Sequence, residues 1–261
     1  MSIAALHIAQ TGLSAQERQL AAISNNIANA NTNGYKSERV EFSSLMYQTL
    51  REAEKSEGSS ALGVTSGTGV QVAGVSRDFS QGTVKMTNRE LDIMINGNGM
   101  LKVSKNDGQI YYTRSGQLKV DPDGRLVTNL NQPLDPEITI PSDTSQIIIG
   151  RDGTVSVKTN ASQDSQEVGK IELASFINPE GLKPIGDNLY ASTESSGEAI
   201  LGEPATNGFG EIQQFALEGS NVNTVEELVN LIEVQRTYEL NSKVIKGADD
   251  MLSFASQKIG N

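Results

Sequence analysis

Residues 3–34 read IAALHIAQTGLSAQERQLAAISNNIANANTNG, and this stretch decides the architecture. Leu6, Leu13, Leu20 and Ile27 recur every seven residues, with Ile3, Ile23 and several alanines filling the same face. That is the spacing of a helix presenting one apolar stripe, and it predicts a helix over 3–30. Asn29, Asn31, Asn33 and Gly34 then crowd together, and such residues tolerate a left-handed backbone and end helices. The far end repeats the pattern, because Leu231, Tyr238, Ile245, Leu252 and Ile259 keep the sevenfold spacing with Leu228, Ala248 and Ala255 in support. A second helix is predicted from about 225 to 258, opened by a Thr224/Glu227 capping box, with Lys243, Lys246 and Lys258 toward its negative end. At about 1.5 Å per residue it would span roughly 50 Å, more than a small domain needs.

Polar residues interrupt both stripes: Gln10, Glu17 and Ser24 in the first, Gln235 and Ser242 in the second. Such helices hide their apolar faces only by finding partners. Periodicity alone leaves an intramolecular helix hairpin and packing against other subunits equally open.

Between the ends the pattern changes to short β-type runs: Ile110–Tyr112, Gln117–Val120, Arg125–Val127, Gln146–Ile149, Thr154–Val157, and later Ile171–Phe176 and Asn188–Tyr190. Asn106-Asp107-Gly108, Arg114-Ser115-Gly116, Asp121-Pro122-Asp123-Gly124 and Arg151-Asp152-Gly153 separate them as turns. Residues 52–69 are rich in Ser, Gly and Glu and have little to bury, so they read as a linker or surface loop. The fold class expected is α+β. Residues 1–36 and 222–261 would form a terminal helical domain paired in coiled-coil fashion, 37–71 a connector and extension, and 72–221 a central, mainly antiparallel β domain.

Composition narrows the function. The 261 residues carry a net charge of −11, and the 21 basic residues are scattered, which disfavours nucleic acid as a partner. Cysteine is absent, so neither disulfide nor thiolate metal site is available. The sole histidine, His7, falls in the first helix, which leaves triad and imidazole-metal chemistry without parts. The acids of Asp121-Pro122-Asp123-Gly124 are better explained as turn formers than as catalysts, and the segment lacks the further ligands of a calcium loop. Gly97-Asn98-Gly99 and Gly67-Thr68-Gly69 lack the third glycine of a dinucleotide fingerprint and read as hairpin or bulge glycines. No catalytic residue, cofactor or metal is therefore expected. The opening residues show neither the charged start nor the apolar run of a cleaved signal, and no window suits a membrane span.

Residues 24–36, Ser-Asn-Asn-Ile-Ala-Asn-Ala-Asn-Thr-Asn-Gly-Tyr-Lys, continued by Phe42 and Ser43, resemble the N-terminal signature of the bacterial flagellar rod and hook axial proteins. The stretches 220–232 and 235–243 resemble the C-terminal part of the same family, and 91–99 with Tyr112-Thr113-Arg114-Ser115-Gly116 its β domain. Similarity covers essentially the whole chain. With one β domain plus the 46–69 extension, the length resembles the distal-rod type, with proximal-rod and hook-type subunits as rivals.

The resemblance implies a non-enzymatic subunit of a helical homopolymer: a rigid hollow shaft that transmits torque and conducts exported subunits. It further implies export through the flagellar export apparatus without a cleaved signal, residence in the periplasm-spanning rod, and neighbours among proximal rod proteins, the hook protein and the periplasmic and outer-membrane rings. The assembly residues nominated are Leu6, Leu13, Leu20, Asn25, Asn26, Ile27, Asn29, Asn33, Gly34 and Tyr35 at one end. At the other they are Leu228, Leu231, Gln235, Arg236, Tyr238, Ile245 and Leu252. Two readings of other classes stand beside this one: a secreted β-domain binding module oligomerised by its helices, and a carboxylate-based glycan hydrolase.

Overall fold

The computed structural model describes residues 2–51, 55–56, 59–60, 64–105, 108–159 and 164–259. The chain is α+β, with a helix at each end and antiparallel strands between. It divides into two compact units, one of Met1–Ile27, Glu38–Ser76 and Asn223–Asn261, the other of Ala28–Ser37 and Arg77–Val222.

In the first unit, α1 runs Ser2–Ala28 and α2 runs Thr224–Ile259. The strands of this part are β1 (Glu38–Ser44), β2 (Gln48–Arg51), β3 (Lys55–Ser56), β4 (Ser59–Ser60), β5 (Val64–Ser66) and β6 (Val70–Arg77). β1 pairs with β6, β2 with β5 and β3 with β4. The registers are Gln48↔Ser66, Thr49↔Thr65 and Arg51↔Val64 in one pair, with a shift near Arg51, and Lys55↔Ser60 and Ser56↔Ser59 in the other. The segment expected to be a linker or loop is thus a β-ribbon, though 52–54, 57–58 and 61–63 lie outside the described residues. The strands, Gln48–Arg51, Lys55–Ser56, Ser59–Ser60 and Val64–Ser66, are mostly polar, so the backbone ladder forms without an apolar face to announce it. The Gly67-Thr68-Gly69 stretch closes its base: Thr68 Oγ1 donates to Met46 O at 2.6 Å and Leu45 N to Gly69 O at 3.0 Å. Gly69 is at φ +124, where a Cβ would strike Thr11.

Asn223, not Thr224, caps α2, and its Oδ1 accepts from Val225 N at 3.2 Å while its carbonyl accepts Glu227 N at 3.0 Å. The cap sits one residue earlier than the Thr224/Glu227 box, because Asn serves this position as well as Thr. Glu227 is thereby released for a different contact. α1 ends at Ala28, followed by turns in which Thr32 N donates to Asn29 O.

The second unit carries the remaining strands. β7 is Val84–Met86, β8 Ile93–Asn96, β9 Met100–Ser104, β10 Ile110–Thr113, β11 Leu118–Val120, β12 Leu126–Thr128, β13 Thr144–Ile149 and β14 Thr154–Thr159. Then come β15 (Ser165–Lys170), β16 (Leu173–Ser175), β17 (Lys183–Gly186), β18 (Leu189–Ala191), β19 (Ile200–Gly202), β20 (Glu211–Gln214) and β21 (Ala216–Glu218). The largest sheet has the order β17-β18-β10-β9-β16-β19, all antiparallel. Successive side chains along a strand point to opposite faces, so neighbours in sequence enter different cores. Leu101, Tyr111, Leu173 and Leu189 join the larger core with Ile93, Leu118, Leu126, Val155 and Ile212. Met100, Tyr112, Ala174 and Tyr190 join a smaller one with Phe176 and Leu182 on the opposite face. A sheet buried on both faces explains why these strands read as continuous apolar runs rather than as clean alternation.

Two of the expected turns join paired strands. Asp121-Pro122-Asp123-Gly124 connects β11 to β12, with Asp121 Oδ1 accepting Asp123 N at 2.8 Å and Gly124 at φ +80. Arg151-Asp152-Gly153 connects β13 to β14. Arg114-Ser115-Gly116 is no surface turn, for Arg114 is buried and Gly116 lies against the Ile93 carbonyl, where a Cβ would collide. The turn expected at 106–107 lies outside the described residues.

Candidate assembly surfaces

Within the first unit α1 meets α2 at Gly12 and Asn26. Among the described side chains of α1, Ala9, Ala15, Ala22, Ile23 and Asn26 are buried, mainly small residues, while Leu6, Leu13, Leu20 and Ile27 are only half-buried. A Cβ at Gly12 would come within 3.2 Å of Asn241 Nδ2 on α2. Toward the other end Asn26 Nδ2 donates to Glu227 Oε1 at 2.8 Å, so contacts rise along α1 as they descend along α2 and the helices run antiparallel. A polar-lined cavity of about 190 Å³ lies between these contacts, walled by Gln16, Gln19, Asn230, Glu233, Val234 and Thr237.

Asn26 is the junction of this unit. Besides Glu227 it binds the first residue of β1 from both sides, donating from Nδ2 to Glu38 O at 2.9 Å and accepting Glu38 N at Oδ1 at 2.8 Å. One amide side chain thus reproduces a strand partner for Glu38 and ties it to the start of α2, as Asn with its two donors and two lone pairs can.

α2 leaves most of its apolar side chains in solvent. Val225 is 69% exposed, Leu228 49%, Met251 70%, and Val229, Ile232, Leu240, Val244 and Phe254 are exposed too. Only Val234 and Ala248 are buried among the described side chains of this helix. Leu231, Tyr238 and Ile245 are half-buried, Gln235 and Arg236 exposed, and the side chain of Leu252 lies outside what is described. An apolar face this long is far beyond the scattered exposed residues of an ordinary monomer.

In the second unit the signature does different work. Gly34, Tyr35 and Lys36 are all buried there, which leaves them no surface for a neighbour. Gly34 adopts φ +71, six residues past the end of α1, and a Cβ would press within 2.8 Å of the Arg114 and Ser115 backbone. Its left-handed conformation therefore permits a close approach to that backbone rather than capping the helix. Gly34 N donates to Glu218 O at 2.8 Å, and Asn188 Nδ2 donates to Asn33 O at 3.0 Å. Asn29 is half-buried and Asn25, which falls in the first unit, is exposed.

At the centre of this second region sits a buried ionic cluster. Lys36 Nζ lies 2.6 Å from Glu218 Oε1, with side-chain exposures of 0% and 1%, and also donates to Ser80 O at 2.6 Å. Arg114 Nε lies 3.0 Å from Glu218 Oε2, and its Nη1 donates to the carbonyls of Gly97 at 2.9 Å and Gly99 at 2.5 Å. Gly82 N gives Glu218 Oε1 a further hydrogen bond at 2.9 Å. Burial pulls both Lys36 and Arg114 below their ordinary values, while the Glu218 carboxylate opposes that shift in each. Arg77 lies over the rings of Tyr35 and Tyr190, at 6.0 and 5.8 Å from their centroids. Sequence reasoning did not single out Lys36, Arg114 or Glu218, because charged side chains are expected in solvent. The available signal was that each lies in or beside a stretch carrying the family resemblance.

Comparison with known proteins agrees with this placement. Residues 6–36 match the model of the flagella basal body rod protein family, 94–157 that of the flagellar hook protein FlgE/F/G D1 domain, and 213–258 that of the flagellar basal body rod FlgEFG protein C-terminal region. A flagellar basal-body rod protein FlgG from Buchnera aphidicola subsp. Acyrthosiphon pisum is 44% identical over 98% of this chain and 99% of its own length. The chain belongs to the flagellar rod and hook protein family. Another relative named FlgG, from Agrobacterium fabrum, is 41% identical over 98% of this chain and 99% of its own. One named FlgF, from Caulobacter vibrioides, is 36% identical over 95% of this chain and 96% of its own. The three matched regions hold Lys36, Arg114 and Glu218 respectively, so the cluster joins the three family segments in one buried contact.

Proposed function

We propose that this chain is a structural subunit of the flagellar basal-body rod, of the distal type, which polymerises into a rigid hollow shaft that transmits torque and conducts exported subunits. The observation that carries the reading is the apolar face of α2, exposed from Val225 to Phe254 in a chain whose full-length relatives are rod proteins. A helix in that condition requires partners, and other copies supply them in a homopolymer. The antiparallel contacts of α1 with α2 support a paired, coiled-coil-like helical layer as the tube's inner wall, with Leu6, Leu13, Leu20, Ile27, Leu228, Leu231, Gln235, Arg236, Tyr238, Ile245 and Leu252 meeting neighbours. Gly34 and Tyr35 act inside the subunit by holding the second unit's ionic cluster in place. The distal assignment rests on full-length relatives named FlgG at 41–44% identity, against 36% for one named FlgF and 35% for a more distant FlgG, and on the Gln48–Ser66 ribbon. By family resemblance the neighbours are proximal rod proteins, the hook protein, the basal-body rings and the export apparatus. No described helix is long and apolar enough to cross a membrane.

Imaging of purified basal bodies from cells producing a tagged copy tests this. Label along the rod, below the hook, is expected. Label confined to the hook, or absent from the basal body, would overturn the assignment.

A further inference from the structure

Four Asn-Gly pairs occur in the chain, at 33–34, 96–97, 98–99 and 207–208, all within the second unit. Such a pair carries its own chemistry, because glycine has no Cβ to keep its amide nitrogen away from the side-chain carbonyl carbon of the asparagine. For the nitrogen to reach that carbon the peptide between the two residues must rotate, and a hydrogen bond at either end of the peptide resists. Three of the pairs are held in this way. Gly34 N donates to Glu218 O at 2.8 Å, and Asn33 O accepts Asn188 Nδ2 at 3.0 Å. Gly97 N donates to Gln81 Oε1 at 3.2 Å. Asn98 O accepts Gly210 N at 2.7 Å, and Gly99 lies close against the Leu173 side chain.

The fourth pair is free. Asn207 and Gly208 stand at φ +48 and +84, and Phe209 N donates to Thr206 O at 2.8 Å, so they are the two central residues of a type I′ turn. The closing bond of such a turn spans the central peptide without using it. Accordingly Asn207 O, Gly208 N and the Asn207 side chain have no partner among the described residues. Both residues are exposed, and nothing lies within 4 Å of where a Gly208 Cβ would be. The flanks of the turn are anchored: Thr206 Oγ1 donates to Glu203 O at 2.7 Å, Ala205 N donates to Gly210 O at 3.0 Å, and Phe209 packs against the larger core.

The geometry points to Asn207 as a self-modification site, at which the folded chain converts asparagine to isoaspartate and aspartate. Base removes the Gly208 N–H proton and the nitrogen attacks Asn207 Cγ. The Cγ–Nδ2 bond breaks, the leaving nitrogen takes a proton from water and departs as ammonia, and a succinimide ring is closed. Water then adds to a ring carbonyl: opening at the main-chain carbonyl leaves isoaspartate, and opening at Cγ leaves aspartate. Nothing is oxidised or reduced, and water is the only co-reactant. Either product puts a carboxylate where the turn had a neutral side chain, and isoaspartate also lengthens the main chain by a methylene. None of this depends on the proposed polymer.

The purified full chain, kept dilute and folded in mildly alkaline buffer, is sampled over time and cut after glutamate, which releases residues 204–211 with Asn207 as their sole asparagine. Mass spectrometry reads the exchange of NH2 for OH at each of the four pairs. Asn207 is expected to react at least about ten-fold faster than Asn33, Asn96 and Asn98, since each of those must first open locally. In denaturant the four rates should converge, and in the folded chain isoaspartate should be found in residues 204–211 alongside aspartate. A folded-state rate at Asn207 no higher than at the other three overturns the proposal. So does the same spread of rates in denaturant, which would assign the selection to local sequence, or aspartate as the only product, which would exclude the succinimide.

Discussion

Two residues carry contacts out of proportion to their size. Glu218 holds two buried cations, and removing one member of a buried charged group leaves the rest uncompensated, so Glu218→Gln is expected to destabilise the second unit by about 3–5 kcal/mol. Denaturant unfolding followed by near-ultraviolet circular dichroism of its tyrosines measures this, and a loss within the error of the extrapolation would show that the cluster is not what holds the signature down. Asn26 ties α1 to β1 and α2 through three hydrogen bonds. Asn26→Ala removes its bonds to the Glu38 N–H and C=O and to Glu227 and should lower the first unit's stability by about 1–3 kcal/mol, visible as faster amide exchange at Glu38 with the second unit's protection unchanged. Neither role was legible in the sequence. The signature marked Asn26 and Gly34 as special and merely contained Lys36, and a sequence does not show that Gly34 must admit the Arg114 backbone or that Lys36 finds Glu218 across 182 positions.

Local chemistry was enough to place most elements, and partner-dependent features escaped it. Both helices follow from their sevenfold stripes, and the β11–β12 and β13–β14 turns from Asp-Gly chemistry that fixes geometry within four residues. The Gln48–Ser66 ribbon escaped because its strands have no face to bury and so no period to read. Deleting residues 50–66 leaves both helices intact, and the expected product assembles into filaments that curve or flex; rods as straight as the parent's would show that stiffness resides elsewhere. The β13–β14 turn makes a pH prediction. Thr154 donates to Asp152 from its hydroxyl at 2.8 Å and its amide at 3.2 Å, holding that carboxyl below its ordinary 3.8. A depressed carboxylate contributes stability that is fully present above 3.8 and is lost as pH falls through the lowered value. The Asp152 carboxyl signal in NMR should therefore titrate below 3.8 in the folded chain, and Asp152→Asn should remove that acid-range dependence of the hairpin. A midpoint at or above 3.8 would refute the assignment.

At the scale of the molecule the division of labour is between residues satisfied inside the chain and residues that are not. The second unit has two buried apolar cores, with Met86, Ile177 and other apolar side chains exposed around them, whereas α2 buries only Val234 and Ala248 among its described side chains and leaves Val225, Leu228, Ile232, Leu240, Val244 and Met251 in water. The stripe read from the sequence, Leu231, Tyr238 and Ile245, is half-buried, and of the exposed apolar residues beside it only Leu228 counts with that stripe; spacing alone does not separate an intersubunit seam from an intramolecular one. Leu231 is half-buried on α2, so in the proposed polymer a charge introduced there would be stranded against a neighbour. Electron microscopy of the purified full chain, concentrated alongside a Leu231→Asp variant, tests the central claim most directly. The parent should form straight hollow tubes and the variant none, with the second unit of both melting alike; closed oligomers or persistent monomers of the parent at every concentration would contradict the account.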